Sequence, residues 1–178
     1  MEDIPIGTEC QEKLDYEGEL CAVIGKACRN LAKSSEDPLD YVLGYTVGND
    51  VSARSWQVPE VSGGQHGYAK SFDKFAPIGP ALVSKKVIPD PSKLHLNTRV
   101  NGDLRQETGT DDLLFGIREI IQHMSRGKTL RPGTVIMTGS PAGVGWFMNP
   151  SGLLKDGDVV VVTIDEIGSI KNKMIFEP

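Results

Sequence analysis

The chain has 178 residues, of which 39% are hydrophobic and 24% charged, with a formal net charge of -5. That balance is too apolar for a disordered chain, and the length suffices for one domain with a sizeable core. The acidic balance and the lack of a Lys/Arg stripe argue against nucleic acid as the default partner. The longest apolar runs, such as "VVVVTI" from residue 159, are only strand length, so none reads as a membrane span.

The opening "MEDIPIGTEC" shows neither a secretory nor an organelle-import pattern, and a cytoplasmic protein is expected. Cys10, Cys21 and Cys28 lack CxxC spacing and neighbouring histidines, so reduced thiols are expected, with Cys21 packed in the core. Next comes "DYEGEL", residues 15–20, with acids at alternate positions. An extended segment puts Asp15, Glu17 and Glu19 on one face, neighbouring carboxylates roughly 7 Å apart. Two readings stand: a solvated edge strand protected by charge, or hard oxygen ligands for a divalent cation.

Residues 19–25 read as a strand. In "SSEDPLDYVLGYT" a cap at Ser35 or Asp37, Pro38 in the first turn, and an apolar face of Leu39, Val42 and Leu43 predict a short helix ended by Gly44. "YTVGNDVSA" looks extended. Residues 76–84 and 94–100 are strand candidates, and Asn101-Gly102 predicts a hairpin turn. Over 111–125, Leu113, Leu114, Ile117, Ile120, Ile121 and Met124 recur at spacings of three and four, predicting one long amphipathic helix. "TVIM", "VVVVTI" and "GSIKNKMIF" follow as strands between Gly, Pro and Asp turns. With no repeat and no linker, residues 1–178 read as a single β-rich α+β domain.

Three further stretches carry candidate chemistry. "GYTVGNDVSAR" offers Gly48 for a close backbone bend, Asp50 as a carboxylate and Arg54 as a guanidinium fork, although Asp50 could equally be a self-capped turn residue. In "HGYAKSFDKFAPIGP", Lys70 lies among aromatic residues, where desolvation would lower its pKa or its charge would serve an enolate; an exposed lysine is the plain alternative. "TGSPAGVG", residues 138–145, is a Gly-rich loop with hydroxyls at Thr138 and Ser140, suited to an anionic group but lacking the lysine and spacing of a nucleotide loop.

Taken in order, "DYEGELCAVIGK", "GYTVGNDVSAR", "KSFDKFAPIGP", "VNGDLRQ", "LRPGTVIMTGSPAGVG" and "LLKDGDVVVVTIDEIGSIKN" strongly resemble the C-terminal catalytic domain of the fumarylacetoacetate hydrolase family. The resemblance implies that family's mixed β-sandwich roll, usually in a homodimer. It implies that Glu17, Glu19 and Asp50 bind Mg²⁺ or Mn²⁺, with Ca²⁺ able to stand in, and leaves Asp15 as a spare acid. It also implies that Arg54 and Gln57 touch a small carboxylic acid substrate, that Lys70 and Arg54 are catalytic, and that Ser140 takes the place of a substrate-binding threonine.

Such a site suits a β-dicarbonyl or 2-oxo acid, whose enolate the cation and the two basic side chains would stabilise. Hydrolytic C–C cleavage of the acylpyruvate or fumarylacetoacetate type is the leading expectation. Decarboxylation of oxaloacetate-like acids and enol–keto tautomerisation are the alternatives, and a non-catalytic metal-binding scaffold is the third. The family's hydrolytic members carry a His-Glu pair N-terminal to the E-x-E strand. Only sixteen residues precede Glu17 here and none is histidine, so the usual lid region is expected to be missing. Of the three histidines, His66 is placed near the site, while His95 and His123 read as structural. Selectivity is expected in the loop of residues 57–67.

Overall fold

The computed structural model describes residues 2–178. Its strands are β1 (Glu2–Ile6), β2 (Leu14–Asp15), β3 (Gly18–Ile24), β4 (Val42–Asn49), β5 (Ser52–Ala53), β6 (Ile78–Ser84), β7 (His95–Val100), β8 (Asp103–Gly109), β9 (Val135–Met137), β10 (Val159–Ile164) and β11 (Gly168–Phe176). Two helices accompany them, the single turn α1 (Pro59–Ser62) and α2 (Ile117–Met124), with several short 3-10 turns. A five-stranded sheet in the order β1-β11-β10-β7-β8 faces a four-stranded sheet in the order β6-β4-β3-β9, and β2 and β5 form a small separate ladder. The fold is thus α+β and β-rich, and the sheets are mixed only through the parallel pair β1–β11.

The core lies between the two sheets. β10 alternates buried and half-buried residues, sending Val160, Val162 and Ile164 inward while pairing with β11 and β7 on its two sides. Period-two patterning of this kind fixes register, because a one-residue slip would turn all three outward. The β7–β8 hairpin turns where expected, with Asn101 at φ 53° and Gly102 at φ 94°, the doubly left-handed geometry that an Asn-Gly turn supplies. Among the described residues, no helix is long and apolar enough to cross a membrane.

Three expectations need correction. The long helix over 111–125 shrinks to the eight residues of α2, since Gly116 is extended (φ -65°, ψ 162°) and its N–H is taken by Glu119 Oε2 at 2.9 Å. Leu113 and Leu114 precede the helix, and Leu114 and Phe115 are 94% and 66% exposed. The short helix near Pro38 is a 3-10 turn, Pro38–Tyr41, capped as predicted by Asp37, which accepts from the Leu39 N–H at 3.0 Å. Gly44 does not end it. That glycine lies inside β4, where a Cβ would run into the Val83 carbonyl of β6. Finally, Gly48 is no bend either: it is a strand residue whose missing Cβ leaves room for Cys21 and for Met137 Cε, which that atom would approach to 2.7 Å.

β1 was not predicted. Its Pro5 and two acids obscure the pattern, yet Ile4 and Ile6 are fully buried, and proline is tolerated because β1 is an edge strand.

Candidate metal centre

Strand pairing builds the site. β3 and β4 are antiparallel neighbours with Gly18 opposite Asn49 and Glu19 opposite Gly48, which brings the start of β3 beside the end of β4. Two further bonds lock this corner: the Asp50 N–H donates to the Glu17 carbonyl at 2.8 Å, and the Glu17 N–H donates to Asn49 Oδ1 at 3.0 Å. Carboxylate oxygens of Glu17, Glu19 and Asp50 consequently all lie within 4.8 Å of one another. β3 is an interior strand and is buried along its whole length, so a solvated edge is not what these acids form.

Asp15 departs from the alternation. The chain leaves β2 at Asp15 and re-enters sheet structure only at Gly18, and this break turns Asp15 away from the triad into full burial. The shared face predicted for three acids therefore holds for Glu17 and Glu19, with Asp50 as the third member.

Two cations hold the acids. Arg54 Nη2 donates to Glu17 Oε1 at 2.7 Å, and Lys70 Nζ donates to Glu17 Oε2 at 2.7 Å, to Ser52 Oγ at 2.9 Å and to Asp50 Oδ2. Burial pulls the Lys70 pKa down, but its hydrogen bonds to Asp50 and Glu17 outweigh that and the net shift is upward, against the lowered pKa and in line with the alternative of a lysine that stays a cation. Lys70 is a fixed positive charge. Glu19 is 3% exposed and burial pushes its carboxyl up to about 8, opposed by the Gly139 N–H and reinforced by Asp50 and Glu17. Asp50 is likewise raised by burial, with Lys70 opposing.

The donor set fits a hard dication. It is made of carboxylate oxygens only, and four acids, counting Asp15, face just two basic side chains. The elevated Glu19 pKa comes first from burial, and the neighbouring Asp50 and Glu17 carboxylates add to it.

The remaining candidates gather around this centre to different degrees. Gln57 Oε1 accepts from Arg54 Nη1 at 2.9 Å. Ser140 is half-buried in the loop whose Gly139 N–H meets Glu19 Oε2 at 2.7 Å. His66 is exposed, His95 lies 3.7 Å from Glu107 on the β7–β8 hairpin, and His123 is on α2. Among the described residues no histidine is hydrogen-bonded to the acids or their cations. Residues not singled out beforehand are Asn49, Ser52 and Gly139. Each lies in a stretch singled out from sequence, Asn49 and Ser52 in "GYTVGNDVSAR" and Gly139 in the Gly-rich loop. A groove of about 640 Å³ runs along that loop past Leu113, Leu114, Phe115 and Met137 and shares Gly139 and Ser140 with the site, while the acid triad itself does not line it.

A β-rich roll with an oxygen-only acid triad at one strand corner defines an α+β protein with a site that could hold a cation. Residues 1–175 match the fumarylacetoacetate (FAA) hydrolase C-terminal family, and the chain belongs to that family. It is 48% identical over 172 residues to the mitochondrial oxaloacetate tautomerase fahd2 of Xenopus laevis, covering 97% of this chain and 53% of that protein. Among solved structures it resembles a 5-carboxymethyl-2-hydroxymuconate delta-isomerase from Mycobacterium smegmatis (TM-score 0.85, 38% identity, 99% of this chain and 64% of the other). It also resembles a fumarylacetoacetate hydrolase from Exiguobacterium antarcticum (TM-score 0.88, 40% identity, 97% and 63%). The chain spans about half the length of the curated relatives it matches.

Proposed function

We propose that this chain is the catalytic part of a divalent-cation-dependent enzyme that interconverts the enol and keto forms of an oxaloacetate-like 2-oxo acid. The observation that carries this reading is the acid triad of Glu17, Glu19 and Asp50 held by Arg54 and Lys70. The names of the tautomerase and isomerase relatives favour this reaction over C–C hydrolysis, the leading expectation from sequence. Tautomerisation consumes no water, so it needs no water-activating base.

In this reading Glu17, Glu19 and Asp50 hold Mg²⁺ or Mn²⁺. When bound, the dication supplies positive charge that stabilises the enolate oxygens of a chelating 2-oxo acid. Lys70 Nζ, fixed by Glu17, Asp50 and Ser52, keeps a full positive charge beside the acids without reorganising as charge develops. Gln57 and Ser140 present polar groups at the rim for the substrate's carboxylate.

Hydrolytic C–C cleavage is the second reading, favoured by the name of the Exiguobacterium neighbour and by the apolar groove beside Ser140, which could seat a longer acyl group. Following freshly dissolved enol-oxaloacetate with Mg²⁺ separates the two. Loss of enol absorbance well above the spontaneous rate without pyruvate supports the tautomerase, pyruvate formation indicates decarboxylation, and turnover of acylpyruvates alone indicates the hydrolase. No turnover of any of them by folded, Mg²⁺-loaded protein overturns the proposal.

A further inference from the structure

Asp15 is the one acid of the cluster with no room for a cation. A carboxylate offers about four lone-pair directions. In Asp15 all four are taken: Oδ1 accepts from the Tyr16 N–H at 2.9 Å and the Gly145 N–H at 2.7 Å, and Oδ2 accepts from Arg54 Nε at 2.9 Å and the Trp146 N–H at 3.0 Å. The residue is 0% exposed.

Arg54 is tied down at every nitrogen. Its three nitrogens go to three partners, Nε to Asp15, Nη1 to Gln57 and Nη2 to Glu17. A guanidinium is planar and rigid, so a partner that fixes Nε also fixes the directions in which the two terminal nitrogens point. Glu17 is thereby gripped on Oε1 by an arginine whose aim is set from the far side, and on Oε2 by Lys70.

The fourth element is glycine chemistry 130 residues away. A Cβ on Gly145 would meet the Gly152 backbone carbonyl first and would also come within 2.8 Å of Asp15 Oδ1, so a side chain there would shift the segment and push the amide off the carboxylate. Gly145 thus permits the approach that lets two consecutive amides saturate Asp15.

We infer that Asp15 is a positioning residue: it aims Arg54, through Arg54 it sets the carboxylate of Glu17 and the amide of Gln57, and it ties both to the Gly145–Trp146 segment. This rests on the proposed function only in taking Glu17 as a cation ligand. With Asp15 neutralised, the guanidinium could turn about its Cδ–Nε bond and its whole charge would fall on Glu17, in competition with a cation.

The test uses Asp15→Asn, Arg54→Lys and the double variant in the full chain, with two readouts. Calorimetric titration of Mn²⁺ should show affinity falling about tenfold in D15N, the scale expected when a group that orients a metal ligand is lost. The double variant should then be no weaker than R54K alone, because Asp15 acts through Arg54. A structural role separate from Arg54 predicts additive losses, and additivity or an unchanged affinity in D15N overturns the inference. The second readout needs no metal: the Arg54 Nε–H resonance of ¹⁵N-labelled protein should be sharp and slowly exchanging in the wild type and lost in D15N. Should the wild type bind no Mn²⁺, the cation reading falls and this resonance alone decides, its persistence in D15N overturning the aim assigned to Asp15. If D15N does not fold, Asp15→Glu keeps the charge and displaces it by one methylene; weakened Mn²⁺ binding supports the inference and wild-type affinity overturns it.

Discussion

Gly139 donates its amide to Glu19 Oε2 at 2.7 Å, joining the start of β3 to the Gly-rich loop after β9 across 120 residues of chain. Among the described residues that bond is the only favourable neutral contact on a carboxylate that burial has pushed to about 8. A group so poorly compensated gains more from a dication than an exposed acid does.

The first expected outcome concerns that carboxylate. Mg²⁺ or Mn²⁺ binds the wild type near one equivalent, and Glu19→Gln weakens binding by at least about tenfold, since one anionic ligand of three is removed. Calorimetric titration checks it. Thermal melts give a second view: a ligand at 100 times its Kd stabilises the folded state by about 2.7 kcal/mol, a gain that E19Q should lack under the same conditions. Equal binding by both proteins would return the acids to a structural role.

Lys70→Met removes the fixed charge that bridges Glu17 and Asp50. If that charge stabilises a developing enolate, kcat/KM for enol-oxaloacetate should fall by roughly 10²-fold or more, the loss typical of deleting one preorganised electrostatic group. The decrease should sit in kcat. A rise in KM alone would assign Lys70 to ground-state binding of the substrate.

How much of this was legible in the chain depends on the range of the interaction. β10 and the Asn101-Gly102 turn were readable because a short apolar run between turn residues, like the turn chemistry itself, acts over a few residues. The helix over 111–125 was overdrawn because Leu113 and Leu114 fit a three-four spacing, whereas Gly116 and its Glu119 cap start the helix later. Glu17, Glu19 and Asp50 could be named from resemblance, but the inward turn of Asp15 depends on amides at Gly145 and Trp146, and no local pattern announces those. The sign of the Lys70 shift was left open for the same reason, since it follows from Asp50 and Glu17, 20 and 53 residues distant. The compartment was not legible either: similar proteins include both mitochondrial and bacterial ones.

Gly143→Ala should destabilise the fold without touching the acids. Gly143 sits at φ 104°, where L side chains are strained, and a Cβ there would collide with the Arg105 backbone carbonyl. Backbone strain alone costs about 1–3 kcal/mol, and the collision adds to it. The urea midpoint should fall accordingly, with the m-value unchanged. At about 2–4 °C per kcal/mol for a chain of this size, a loss of roughly 3 kcal/mol lowers Tm by about 6–12 °C. An unchanged midpoint would mean that the loop relaxes and that Gly143 is not needed there.

Asp37 links two functions in one side chain, capping the Pro38–Tyr41 turn through the Leu39 N–H and receiving Arg118 Nε and Nη2 at 2.9 and 3.0 Å. Arg118 first, and then the Leu39 amide, hold its carboxyl below the ordinary value of 3.8. A depressed folded pKa means that the unfolded chain takes up the proton first as acid is added. The contribution of Asp37 is therefore complete above about pH 4 and drains away as pH falls through its lower folded value. Asp37→Ala should cost about 1 kcal/mol at pH 7, mostly the lost cap, because the ion pair is solvent-exposed and screened. The difference between the two proteins should then shrink below pH 4. Urea unfolding of both at pH 7 and near pH 3 measures this, and a gap that stays constant with pH would show that Asp37 stabilises the turn without its charge.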